Sequence, residues 1–278
     1  MTPRPVHSPD DVRLATYEAG PADAPAIVLV HGWSQASGCW RKQMTGPLAE
    51  RFRLVAPDLR GHGASGKPVG EERYLPSQVW ADDLEAVTAD LDRFVLVGWS
   101  MGGRVALDWL AHHGEGRLAG LVLVGASSLT PAEANALGQR KPDVVARGMY
   151  SDDPWVSIPA TIAFLKACAS APLSKVDLAA FAAMNALCPP DVREAARLRE
   201  RDHDYDLGSL AAPLALFWGE AERVCTRSMI DATLEAAPRA ALTTFAGAGH
   251  LCFWERPEDF DAALAAFADQ AFAGQEAA

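Results

Sequence analysis

The sequence predicts an α/β chain, with a mostly parallel central sheet flanked by helices and interrupted by a helical insertion. Three observations lead there. Short β-branched runs alternate with amphipathic stretches as far as Val124, which is the rhythm of βα units feeding a parallel sheet. From about Leu129 to Asp206 that alternation stops, and it resumes at Leu214. The 278 residues, 49% of them hydrophobic, suffice for one large core with a smaller attached element, so two full domains are not required.

Candidate strands run from Val12 to Glu18, Ile27 to Val30, Arg53 to Ala56, Phe94 to Val97 and Leu121 to Val124. Between them, Pro76 to Leu91 spaces Val79, Leu84, Val87 and Leu91 at helical intervals, and Arg104 to Leu110 continues from a Gly-rich turn. Both read as crossover helices. The stretch from Leu129 to Asp206 is rich in Ala and carries Pro131, Pro142, Pro154, Pro159, Pro172, Pro189 and Pro190, which leaves helical or irregular patterns only. After it come a strand at Leu214 to Trp218, a helix around Ser228 to Ala236, a strand at Leu242 to Phe245, a last helix from Pro257 to Phe272 and an Ala-rich tail expected to fray. The chain thus divides into a core of residues 1–128 and 207–278 and a helical cap of residues 129–206, expected over the active-site edge. It contains no internal repeat.

Charge and composition narrow the partners. The formal net charge of -11 and the absence of a Lys/Arg cluster argue against nucleic acid. Met1 to Asp10 carries three prolines and no apolar stretch of signal-peptide length, and no later run approaches the roughly 20 apolar residues needed to span a bilayer. The expectation is a soluble protein without membrane insertion or standard export. Cys39, Cys168, Cys188, Cys225 and Cys252 are scattered, odd in number and without a C-x-x-C pair, so they suggest neither a disulfide framework nor a zinc site and fit a reducing cytoplasm. With no P-loop, dinucleotide fingerprint or metal-ligand cluster, no cofactor is expected.

Chemistry enters at Gly98-Trp99-Ser100-Met101-Gly102-Gly103, which follows the strand Phe94 to Val97 and opens a helix. That context turns G-x-S-x-G into a nucleophile elbow: flanking glycines let strand and helix approach, and the Ser100 hydroxyl is lifted above the sheet edge over a helix N-terminus. Without the context, the same residues would be a tight turn with a capping serine.

Further signatures are His31-Gly32-Trp33, Asp58-Leu59-Arg60-Gly61-His62-Gly63-Ala64-Ser65 and Gly247-Ala248-Gly249-His250. With the elbow, these make the chain resemble the α/β-hydrolases, in particular the group of esterases, cofactor-free haloperoxidases and perhydrolases, and the pimeloyl-ester carboxylesterases. The match covers about Ala26 to Ser127 and Pro213 to Phe260, and leaves the cap unmatched. The resemblance implies an α/β-hydrolase fold with the helical cap inserted after the sixth strand.

Among seven histidines, His250 alone lies in a Gly-rich loop after the last predicted strand, where the resemblance places the general base. Imidazole suits the task, since it accepts the serine proton and returns it to the leaving alcohol near neutral pH. The resemblance gives His31 and His62 structural roles, and His7, His112, His113 and His203 read as solvated. For the acid, the family typically places Asp at the third residue after a glycine that follows the strand. Gly219-Glu220-Ala221-Glu222 has a glutamate there, so Glu222 is the candidate, with Glu220 and Glu133 as the alternatives.

An ester passes through a tetrahedral oxyanion, for which two backbone N–H groups are expected, one from Met101 and one from Trp33. Trp33 and Trp99 are candidate apolar walls of the substrate pocket, with Trp40, Trp155 and Trp254 equally readable as core. The expectation is a carboxylic-ester hydrolase acting on a small to medium, largely apolar ester through an acyl-enzyme on Ser100. Perhydrolysis, lactone opening and carbon–carbon cleavage use the same triad and stay open. Haloalkane dehalogenase and epoxide hydrolase are disfavoured, because they carry Asp at the position of Ser100. A non-catalytic ligand-binding module is disfavoured by the intact Ser, acid and His set.

Overall fold

The computed structural model describes residues 2–137, 147–199 and 205–274. Their strands form one eight-stranded sheet in the order β1-β2-β4-β3-β5-β6-β7-β8. The strands are β1 (Arg4–His7), β2 (Arg13–Ala19), β3 (Ala26–Val30), β4 (Arg53–Pro57), β5 (Phe94–Trp99), β6 (Leu118–Val124), β7 (Leu214–Gly219) and β8 (Ala241–Phe245). β2 pairs antiparallel with β1 and β4, and every other neighbouring pair is parallel.

Every residue of β3, β5, β6 and β7 is buried, as continuous apolar runs covered on both faces must be. Side chains alternate between the faces. Val28, Val30, Phe94 and Leu96 join one core cluster, whereas Ile27, Leu29, Val95 and Val97 join the other. The first face is covered by α1 (Ser77–Thr88), α2 (Met101–His113) and a later helix, Arg227–Ala236, through residues such as Trp80, Trp109 and Ile230. The last helix, Pro257–Ala273, covers the second face with Phe260, Leu264 and Ala268.

β1 was not among the expected strands. It is an edge strand of four residues with a mostly exposed pattern, and Pro5 sits within it, so neither alternation nor burial marks it in the sequence. With β1 counted, the helical insertion follows the sixth strand.

Between β6 and β7 the described residues contain helices and no strand: α3 (Pro131–Ala136), α4 (Pro154–Cys168), α5 (Lys175–Ala186) and α6 (Pro190–Leu198). Asp153 and Ser174 cap α4 and α5 through the N–H groups of Trp155 and Asp177. Buried arginines fasten the insertion. Arg193 donates to the carbonyls of Met149 (2.8 Å) and Asn185 (2.6 Å), and its own carbonyl accepts from Trp33 Nε1 at 2.8 Å. Arg199 pairs with Asp108 on α2, and its guanidinium lies 5.4 Å from the centre of the Trp80 ring. His203 and the end of the tail lie outside the described residues. Among the described residues no helix is long and apolar enough to cross a membrane.

Candidate active site

The turn from β5 into α2 forces Ser100 to φ 53°, ψ -116°, in a left-handed region that a serine occupies only under local strain of about 1–3 kcal/mol. Its N–H donates to the Val124 carbonyl at 2.9 Å, and its carbonyl accepts from Gly103 N–H at 3.0 Å. The Cα of Gly102 faces the Val30 and His31 carbonyls so closely that any Cβ would run into them. Met101 begins α2, so its N–H has no partner within the helix and lies at the positive end of the helix dipole.

The candidate acid and base come from adjacent strand ends. β7 and β8 run parallel with Gly219 opposite Phe245, which brings the turn after each strand alongside the other. Glu222 Oε1 accepts from the N–H groups of Val224 (2.6 Å) and Cys225 (3.1 Å), and Oε2 accepts from His250 Nδ1 at 2.7 Å. A carboxylate can only accept here, so Nδ1 carries the proton and Nε2 is left as a base. Both side chains are buried, at 2% exposure for His250 and 0% for Glu222. The pair also lies beside the elbow. Gly125, next to the Val124 that holds Ser100, is so close that a Cβ there would stand 2.9 Å from His250 Nδ1 and 3.0 Å from Glu222 Oε2.

The loop after β3 is suspended above the elbow. A Cβ on Gly32 would lie 3.2 Å from Ser100 Cβ. Two histidines and an aspartate hold this loop through its main chain and that of the Asp58 turn. His31 Nε2 accepts from Leu59 N–H (3.0 Å) and His62 Nε2 from Ser34 N–H (3.2 Å), while their Nδ1–H groups donate to the Gly32 and Arg60 carbonyls, each at 2.8 Å. Asp58 accepts from Ser37 N–H (2.7 Å) and Ala64 N–H (2.8 Å). Burial holds the His31 imidazolium off until about pH 4. In His62, burial and then the neighbouring His31 push it down to about 3. Arg60 beside them is held charged by Asp83 and Asp10 despite its burial.

The remaining sequence candidates fall at separate places. Glu220 is exposed and accepts from Gly247 N–H at 3.3 Å, and Glu133 is exposed in a capping box with Thr130. Trp33 is half-buried, with its ring edge-on to Phe164 and Tyr150 of the insertion at 5.4 and 6.1 Å. Trp99 is buried in the core beneath the site, where its indole N–H donates to the His250 carbonyl at 2.9 Å. Trp40 and Trp254 are also core residues, whereas Trp155 is 88% exposed.

Asp58 opens one of the signatures read in the sequence, though no role followed for it there; Glu255, which accepts from Gly249 N–H beside His250 at 2.7 Å, belongs to none of them and sequence reasoning passed it over. Glu222 joins burial in lifting the Cys225 and Cys252 thiols far above the usual range. Among the described residues no three His, Cys, Asp or Glu side chains gather as a metal site.

Known proteins share this fold. A putative aryl esterase from Burkholderia cenocepacia has a similar structure, with TM-score 0.90, 32% identity and coverage of 98% of this chain and 99% of that one. An esterase from a Rhodococcus species superposes with TM-score 0.88 at 33% identity, over 98% of this chain and all of the other. In sequence, a pimeloyl-[acyl-carrier protein] methyl ester esterase of Edwardsiella ictaluri is 29% identical over 262 residues, covering 91% of this chain and 96% of that protein. The family model for alpha/beta hydrolases matches residues 27–263. The chain therefore belongs to the alpha/beta hydrolase family.

Proposed function

We propose that the protein is a serine carboxylic-ester hydrolase that cleaves a small to medium, largely apolar ester. The observation that carries the reading is the strained Ser100 turn standing against a buried Glu222–His250 pair. Ser100 Oγ attacks the ester carbonyl carbon while His250 Nε2 takes its proton, and Glu222 keeps the Nδ1 proton in place and supports the imidazolium. The oxyanion is met by the N–H groups of Met101 and Trp33, each of which lowers the barrier by several kcal/mol in sites of this kind. Collapse of the tetrahedral species breaks the carbonyl–oxygen bond, and the alcohol leaves with the proton from His250. Water then repeats the sequence on the acyl-enzyme.

The insertion at 129–206 acts in this reading as a cap whose aromatic face sets substrate size. Trp33, edge-on to Phe164 and Tyr150, supplies the shared wall. The esterase names of the relatives support an ester as substrate. The deciding experiment combines a series of p-nitrophenyl esters of increasing acyl length, run beside a peracid assay, with fluorophosphonate labelling. Adduct on Ser100 and a Ser100→Ala variant that is folded and at least about a thousandfold less active are expected. A folded Ser100→Ala variant with more activity than that removes the reading.

A further inference from the structure

The loop that presents His250 is anchored from outside the sheet. The His250 backbone N–H donates to the carbonyl of Cys168, the last residue of α4, at 2.8 Å. One residue earlier, Gly249 N–H donates to Glu255 Oε2 at 2.7 Å. Glu255 Oε1 in turn accepts from Ser170 N–H at 2.8 Å and from Ser170 Oγ at 2.6 Å. One carboxylate thus spans two segments far apart in the chain, the base's loop and the exit of α4.

Two features set this apart from ordinary surface pairing. Glu255 has no ion-pair partner among the described residues: its bonds go to main-chain N–H groups and one hydroxyl, the charge-assisted kind that is about twice as strong as a neutral one. The two segments also touch backbone to backbone. A Cβ on Gly249 would stand 2.8 Å from both the Cys168 oxygen and the Ser170 nitrogen.

We propose that Glu255 is a positioning residue for His250, a clamp that makes the seating of the insertion and the alignment of the base a single event. This rests on the reading of His250 as general base. An acyl group that displaces the end of α4 then loses turnover rather than binding, because the displaced segment carries the acceptor of the His250 N–H.

The test uses the whole protein. Glu255→Gln keeps size but sets an amide donor against one of the N–H groups. The expected result is a kcat lower by about 10- to 100-fold with KM within about twofold, the pattern of a misplaced catalytic group. Glu255→Asp, which keeps the charge at shorter reach, is expected to recover part of that loss. Hydrogen exchange on Ser170→Ala, which drops only the hydroxyl bond, supplies a second readout if Glu255→Gln does not fold. Exchange is expected to quicken together in the peptides spanning 165–173 and 246–252, with β5 unchanged. A folded Glu255→Gln with kcat within about threefold of wild type, or quickened exchange in one peptide alone, overturns the clamp. His250→Ala is the control: if that variant still turns over ester, the underlying reading of the base has failed instead.

Discussion

Replacing Glu222 by Gln separates charge from shape at the best-defined contact of the site. One oxygen is committed to the N–H groups of Val224 and Cys225, and the other faces His250. A glutamine that keeps the first two bonds must turn its NH2 toward His250. The ring then carries its proton on Nε2, the atom that has to receive the serine proton. Flipping the amide restores the tautomer but sets the NH2 against the N–H donors of half-exposed Val224 and buried Cys225, at up to about 1–3 kcal/mol for each bond lost. Taking roughly 2–4 kcal/mol in all, about one molecule in 30 to 1,000 holds the useful tautomer. Even that fraction lacks the carboxylate opposite the imidazolium, a charge-assisted bond worth about 1.5–3 kcal/mol, or a further ten- to hundredfold. The product is a loss of kcat near 10⁴, which is also about the loss for the corresponding Asp to Asn change in a serine protease triad. Initial rates on p-nitrophenyl butyrate, with active-site titration and circular dichroism to confirm folding, measure it. A folded variant less than about tenfold slower would refute the tautomer argument.

Three further outcomes are expected. Glu220→Gln should change kcat by less than about threefold, since its only side-chain hydrogen bond among the described residues is a long surface contact to Gly247 N–H; a larger loss in steady-state rate would move the acid. Gly102→Ala should cost more than about 3 kcal/mol in urea unfolding, because the new methyl meets backbone oxygens that cannot rotate away; a wild-type midpoint contradicts the elbow geometry. Acid should weaken the fold through His31 and His62, whose folded pKa values of about 4 and about 3 lie below the roughly 6.5 of an unfolded chain. The unfolded chain gains those protons first as pH falls below that value, so stability is lost, by about 1 kcal/mol per histidine between about pH 7 and 5.5. Burial lifts the Asp83 and Asp261 carboxyls to about 6, and their uptake of protons in the folded state opposes the effect, so the measurement is the difference in pH slope between wild type and a folded His62→Gln variant, in which those carboxyls are unchanged. An equal slope in the two proteins rules out a neutral, buried His62 ring.

Most of the fold was legible because its strands announce themselves. β3, β5, β6 and β7 are unbroken apolar runs, and the observed boundaries extend the expected ones by a few residues at most. β1 was not, since an exposed edge strand containing Pro5 has no pattern to read. Helix boundaries inside the insertion were equally silent: α4 is apolar on most sides, with Trp155, Val156 and Ile158 exposed and Pro159 within it, so no stripe repeats at helical spacing. Within the candidate site, the sharp turn at Ser100 was readable from its local context and the loop position of His250 from the glycines before it, whereas the approach of Glu222 to His250 depends on the pairing of β7 with β8. Glu255 was beyond reach. Its partners at Ser170 lie 85 residues away, on a segment whose docking no local pattern encodes.

The order of the strands also fixes when competence can arise during synthesis. Ser100 and the loop above it belong to the stretch of chain that ends with β6, and β2 to β6 are already neighbours once that stretch is complete. A growing chain folds from its beginning as it emerges, so the elbow can form with its hydroxyl in place while acid and base are still unmade. Glu222 and His250 arrive with the last two strands, at the far edge of the sheet. In the proposed mechanism, chains arrested before β8 therefore carry the nucleophile without its base, and hydrolytic activity switches on only when the final fifth of the polypeptide has docked.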